Sequence, residues 1–196
     1  MLYTDNIRAA PAALFQNPAK PTPVEIARRL VMLEFKHHDF EYKTKSGIYI
    51  IHELLVQDVQ DYVRKAWEIG FPIHQAISPA EYGWCDKASC AANNSSAHNM
   101  RYINGTKRLS KHAGSAFDTN PLQNPCFEFD DESGAVVEVI PELGAYDPRR
   151  RGTLYRAHPL VQLMLKRGWA WGGNWTNPFD PQHFQKVLPE LEHLYT

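Results

Sequence analysis

Leu109-Ser110-Lys111-His112-Ala113-Gly114-Ser115-Ala116-Phe117-Asp118 and the distant Asp180-Pro181-Gln182-His183-Phe184 together carry two imidazoles and two carboxylates among small or apolar neighbours. Two His and one Asp can hold a zinc ion and leave a coordination position open for water. The remaining carboxylate can then serve as general base on that water. If residues 112–118 are extended, His112 and Asp118 project to one face, because strand side chains alternate with period two. Gly114 and Ala116 lie between them on that face and are too small to fill the space. Asp180 and His183, three apart, meet on one helical turn or in a tight turn. The spacing therefore offers His112, Asp118 and His183 as ligands with Asp180 as the acid beside them, packed and hydrogen-bonded histidines being the plainer reading of the residue types alone.

Composition sets the frame. The 196 residues suffice for one domain with a substantial core. Hydrophobic residues make up 43% and charged residues 22%, as in soluble globular proteins. With 21 basic and 22 acidic residues the formal net charge is −1, which gives no electrostatic grip on nucleic acid. Arg149-Arg150-Arg151 reads as a solvated loop, with contact to an anionic polymer as the minority reading. Three cysteines, Cys85, Cys90 and Cys126, make no disulfide framework. Cys85 and Cys90 can bridge in an oxidising compartment; free thiols are the plainer reading. No apolar leader is visible from Met1 to Ala13, and no run approaches the ~20 apolar residues of a membrane span.

Outward from the motif, the pattern predicts a mixed set of elements. Residues 1–20 read as an irregular arm. Thr22 and Pro23 open a helix over Val24–Phe35, with Val24, Ala27, Val31 and Phe35 at helical spacing. His37 and His38 then read as cations at its C-terminal end rather than as ligands. Lys45–Glu53 reads as a strand, and a helix opening near Glu53 runs to Ile69, stopped by Gly70. Phe71–Ile77 is predicted as a strand, 80–100 as a loop, and Tyr102-Ile103 as a strand before a turn at Asn104-Gly105. His98 is not counted as a ligand. Residues 127–134 read as an acidic, solvated excursion; a calcium loop there lacks the usual spacing. Ala135–Ile140 is a strand, 144–152 a loop, and Pro159–Arg167 a helix ended by Gly168. Phe184–Leu188 is a strand and 190–196 a short helical end. Trp169, Trp171 and Trp175, with Gly172 and Gly173, line a cleft or pack in the core; the reading takes Trp169 as buried and Trp171 or Trp175 as nearer substrate.

The two motifs resemble the zinc D,D-peptidase family of bacterial cell-wall peptidases, which includes D-alanyl-D-alanine carboxypeptidases and L-alanyl-D-glutamate endopeptidases. The family pattern S-x-H-x-x-G-x-A-x-D is followed by W-G-G and an acid-x-x-H. Here Ser110 to Asp118, Trp171-Gly172-Gly173 and Asp180 to His183 stand in those places. Asn93-Asn94-Ser95-Ser96 with Arg101, Gly105-Thr106, Asn120-Pro121 and Asn124-Pro125 extend the likeness over roughly 48–188. The chain departs at His112-Ala113-Gly114, one residue short, at Asn174 where an acid is common, and at Gln185 where Glu is common.

The resemblance implies an α+β fold of hedgehog/D,D-peptidase type, one domain with a small, mainly antiparallel sheet and helices on one side. Residues 1–47 form an arm and helix packed on a peptidase domain of 48–196. It implies one zinc ion, with His112, Asp118 and His183 as ligands and Asp180 and Arg101 as catalytic groups. Ser96, Ser110, Trp171 and Trp175 touch substrate. Arg101 is suited to the oxyanion of a tetrahedral intermediate, an ordinary surface arginine being the alternative. The expected activity is hydrolysis of an amide bond in peptidoglycan stem peptides, by a phage lysin or interbacterial toxin that acts in the periplasm or wall after non-classical export. A toxin would have an immunity protein as partner. The rival readings are a non-catalytic, zinc-containing peptidoglycan-binding domain on the same scaffold and a metal-free interaction protein. D-Ala–D-Ala, L-Ala–D-Glu and cross-link bonds all remain open.

Overall fold

The structure is a computed structural model that describes residues 2–103, 106 and 108–195. The predicted turn at Asn104-Gly105 lies outside the described residues. Its class is α+β, with every named strand pair antiparallel. β1 (Asp5–Ala9), β2 (Leu30–His38) and β3 (Thr44–His52) form one sheet in that order. β4 (Ala116–Asp118), β8 (His183–Gln185) and β7 (Ala170–Trp171) form a second, ordered β4-β8-β7. β5 (Cys126–Phe129) and β6 (Val136–Ile140) make a hairpin.

Two helices cover the sheets. α2 (Val56–Glu68) buries Val56, Val59, Tyr62, Val63 and Ala66, a stripe with helical spacing. α4 (Pro159–Lys166) starts on a proline, takes a cap from the His158 side chain, and gives way to Gly168 at φ +79°. One continuous core joins β2, β3, α2 and α4 to the second sheet. Phe117 of β4 and Phe184 of β8 stack there with ring centroids 5.1 Å apart, and Tyr62 and Trp169 meet them edge-on. Trp169 is thus a core ring.

Several local expectations fall differently. The predicted helix over Val24–Phe35 is a single turn, α1 (Val24–Ala27), followed by strand β2. From residue 30 onward the polar residues Glu34, Lys36 and His38 alternate with the buried Phe35 and His37, a period of two that outweighs the helical spacing. Pairing with β1 on one side and β3 on the other then satisfies the backbone. His37 and His38 therefore stand on a strand, His38 stacked on Trp67 with centroids 3.9 Å apart. The irregular arm contains β1. Phe71–Ile77 has bridges at Pro72 and Gln75 in place of a strand. The 80–100 loop contains α3 (Asp86–Ala91), and the acidic excursion begins as β5. The three cysteines are free, Cys85 exposed and the other two buried.

Candidate metal centre and active site

Asp118 and His183 are direct cross-strand partners in the β4–β8 ladder, with Phe117 opposite Phe184. Strand alternation sends both phenylalanines into the core and places Asp118 and His183 together on the other face. His112 arrives differently. Residues 111–114 form a turn rather than an extended segment, with Ala113 N–H bonded to Ser110 O and Ser115 N–H to Lys111 O. Gly114 closes that turn at φ +110°, where a Cβ would press on Leu30 and Ile26. The shortened His112-Ala113-Gly114 segment is thus a tight turn, and it still delivers the imidazole to Asp118.

The resulting centre is compact and buried. His112 Nε2 lies 2.8 Å from Asp118 Oδ2, and His183 Nδ1 lies 2.9 Å from Asp118 Oδ1. One ligand atom from each of the three residues falls within 4.8 Å of the others, so the group can hold a metal ion. Burial alone pushes the Asp118 carboxyl up, but His112 and His183 outweigh it and hold it well below the usual carboxylate range. Burial pushes His112 down. It pushes His183 down as well, yet the hydrogen bond and charge of Asp118 leave His183 raised.

Asp180 is placed by the Trp-Gly-Gly segment. Gly172 O accepts both Asp180 N–H and Trp175 N–H at 3.1 Å, and Trp171 Nε1 donates to Pro181 O at 2.8 Å. A Cβ on Gly172 would collide with the Asp180 backbone. His183 N–H then bonds Asp180 O at 3.1 Å, closing the tight turn that brings acid and ligand together. Asp180 Oδ1 is buried without a partner, and burial pushes its carboxyl up to about 7.

Arg101 sits at the rim, its Nη1 2.5 Å from Asp86 Oδ1 and its Nη2 3.0 Å from His112 Nδ1. Ser110 Oγ is 3.5 Å from the same Nδ1 and accepts His112 N–H at 3.3 Å. Trp175 is half-buried with its ring 5.4 Å from that of His183. Trp171 stands in the core at 2% exposure, its N–H already committed. Ser96 is buried, and it is its carbonyl that reaches the site's framework, accepting Asp118 N–H at 2.7 Å. His98 is bonded to Phe15 O and Thr22 Oγ1, away from the ligand group. One contributor, Asp86, escaped the sequence reading, whereas Gln185 entered it only as a departure from the family pattern. Gln185 Oε1 lies 3.2 Å from His183 Nε2, and Asp86 fixes Arg101. Gln185 had a signal, since a residue two beyond a strand ligand shares its face. Asp86, on a helix 15 residues before Arg101, had none.

A family model described as D-alanyl-D-alanine carboxypeptidase matches residues 104–186. Over that segment the chain is similar to the zinc D,D-peptidase family. The matched residues hold all four of His112, Asp118, Asp180 and His183, whereas Arg101 and Asp86 precede them. Searches of curated proteins and of solved structures find no match.

The donor set suits the family's metal. With His183 Nδ1 as a ligand, Nε2 carries the proton and Gln185 Oε1 accepts it, the outer partner that ligand histidines ordinarily have. With His112 Nε2 as a ligand, Nδ1 carries the proton and needs an acceptor. Ser110 Oγ can accept; a guanidinium cannot. Among the described residues no helix is long and apolar enough to cross a membrane.

Proposed function

We propose that this D,D-peptidase relative is a zinc-dependent peptidase that hydrolyses amide bonds in peptidoglycan stem peptides. The observation that carries the reading is the three-residue group with a carboxylate beside it whose Oδ1 is buried without a partner, inside the segment that matches the carboxypeptidase family. His112, Asp118 and His183 hold the ion. Zinc supplies a Lewis acid that polarises a carbonyl and makes water nucleophilic near neutral pH. Asp180, desolvated and with one oxygen unpartnered, takes the proton of the attacking water and returns one to the leaving amine. Arg101, tethered to Asp86, neutralises the oxyanion once its second nitrogen is freed from His112 by the tautomer that metal ligation requires. Trp175 and Ser110 flank the reacting bond. The proposed substrate lies outside the cytoplasm, so the enzyme acts in the periplasm or wall.

Purified peptidoglycan digested with and without chelator tests this, with released fragments identified by mass. Chelator-sensitive release of stem-peptide fragments is expected, and none from His112→Ala. Zinc bound at about one per chain without any cleavage would instead favour a wall-binding domain on the same scaffold.

A further inference from the structure

A cleft of about 370 Å³ is lined by Arg149, Arg150, Arg151, Thr153, Tyr42 and Tyr155 among others, and shares no residue with the metal centre. The arginine run is not a loose loop. Gly152 O accepts hydrogen bonds from the buried amides of Asn120 at 3.2 Å and Asn124 at 2.9 Å, and Leu154 N–H donates to Asn124 Oδ1 at 2.7 Å. Gly152, at φ +79°, packs so closely on Phe40 that a Cβ there would displace the ring. The three guanidiniums therefore stand on a fixed turn.

Their charge is only partly spent. Arg149 is paired with Asp147 through two bonds of 3.0 Å. Arg151 lies over the Tyr42 ring, 4.0 Å from its centroid, and donates to Phe40 O. Arg150 has no carboxylate at ion-pair distance among the described residues. On the neighbouring turn, Glu41 pairs with Lys43 at 2.6 Å and Asp39 faces Lys45 at 3.9 Å, so those acids do not neutralise the cleft. Thr153, at 2% exposure, lines the same cleft, and its hydroxyl is buried without a partner. A buried hydroxyl with nothing to bond is destabilising, and a ligand that supplies the missing partner relieves that cost.

We propose that this cleft binds a phosphate ester of a sugar or polyol. The tetrahedral anion offers enough acceptor oxygens for two guanidiniums and a hydroxyl at once, whereas a carboxylate offers two. Arg150 supplies a guanidinium with no ion pair among the described residues, Arg151 and Thr153 complete the donors, and Tyr42 and Tyr155 pack on the ligand's body. The site is independent of the peptidase reading.

Calorimetric titration of the full chain with glycerol 3-phosphate, inorganic phosphate and acetate tests it. Glycerol 3-phosphate should saturate, with acetate about tenfold weaker or more. Arg150→Ala and the near-isosteric Thr153→Val should each weaken glycerol 3-phosphate about tenfold, while Thr153→Ser keeps most of the affinity. Neither Arg150→Ala nor Thr153→Val should alter zinc content. Absence of saturable binding, or equal affinity in wild type, Arg150→Ala and Thr153→Val, overturns the site. Inorganic phosphate binding as tightly as the ester overturns the ester and leaves free phosphate as the ligand.

Discussion

Two polar clusters flank the same aromatic core, and they use a carboxylate in opposite ways. On the α2 side, Asp58 accepts from Arg167 at 2.8 Å, Trp169 Nε1 at 2.9 Å and Lys186 at 2.9 Å, while Arg167 also holds Asp61. Burial alone would push the Asp58 carboxyl up; those donors outweigh it and lower it. Every group there is spent. On the sheet side, Asp118 bridges two imidazoles, but Asp180 Oδ1 and Gln182 Oε1 are buried without partners. A cluster whose donors and acceptors balance is explained by folding. A cluster that keeps acceptors in surplus is arranged for something that folding itself does not supply, such as a cation or a reacting proton.

The contrast breaks first at Asp180. Asp180→Asn should lower turnover by on the order of 10²–10⁴-fold, as loss of a general base does, with zinc content unchanged. Loss of the ion along with activity would make Asp180 a ligand and end the distinction between holder and base. Next, Ser110→Ala and Gln185→Ala should each weaken zinc about 10–100-fold by removing the acceptor of a ligand histidine's second proton, read by competition with a chromogenic chelator. Unchanged affinity in both would mean those rings are oriented by packing alone. Asp58→Ala, by contrast, should cost about 2 kcal/mol of stability by urea unfolding and leave zinc affinity intact. That figure is modest because the Arg167 and Lys186 side chains are 34% and 30% exposed and can turn to water.

A pH titration separates both clusters from a third kind of buried group. Burial pushes His98 and His158 down to about 4. Each takes up a proton in the unfolded chain below about 6.5, but in the folded chain only near 4. Their contribution to stability is therefore intact above about pH 6.5 and is lost as pH falls toward 4, with a slope of at most about 1.4 kcal/mol per pH unit for each. His158→Asn keeps a side chain able to cap α4 and should remove one of these two slopes, read from urea midpoints across pH 4–7.

How much of this could be read from the chain depended on whether the signal was local. The extended run into Asp118 and the strand that follows His183 were legible because each signal is local; that the two pair was not. The Pro159 helix was legible from its proline start and glycine stop. β2 was not, because Val24, Ala27, Val31 and Phe35 imitate a helix, and only pairing with β1 and β3 decides between the periods. His112 joined the centre for a reason other than the one its spacing suggested: a glycine turn, not an extended strand, carries it to Asp118. Trp171 lies in the core because the residues that follow it must turn tightly beneath its ring to seat Asp180. Asp86 and the asparagine fastening of the arginine turn depend on contacts between distant segments, which no spacing rule reports.

The pairing of Asp118 opposite His183 carries a consequence for how the molecule matures. If the two strands met one residue out of step, the stacked phenylalanines would lose their partners and the acid would face the wrong side chain. A chain mispaired in this way would not assemble the proposed ligand group. An ion bound there would then act as a proofreading device, stabilising only chains whose strands have met in the native alignment.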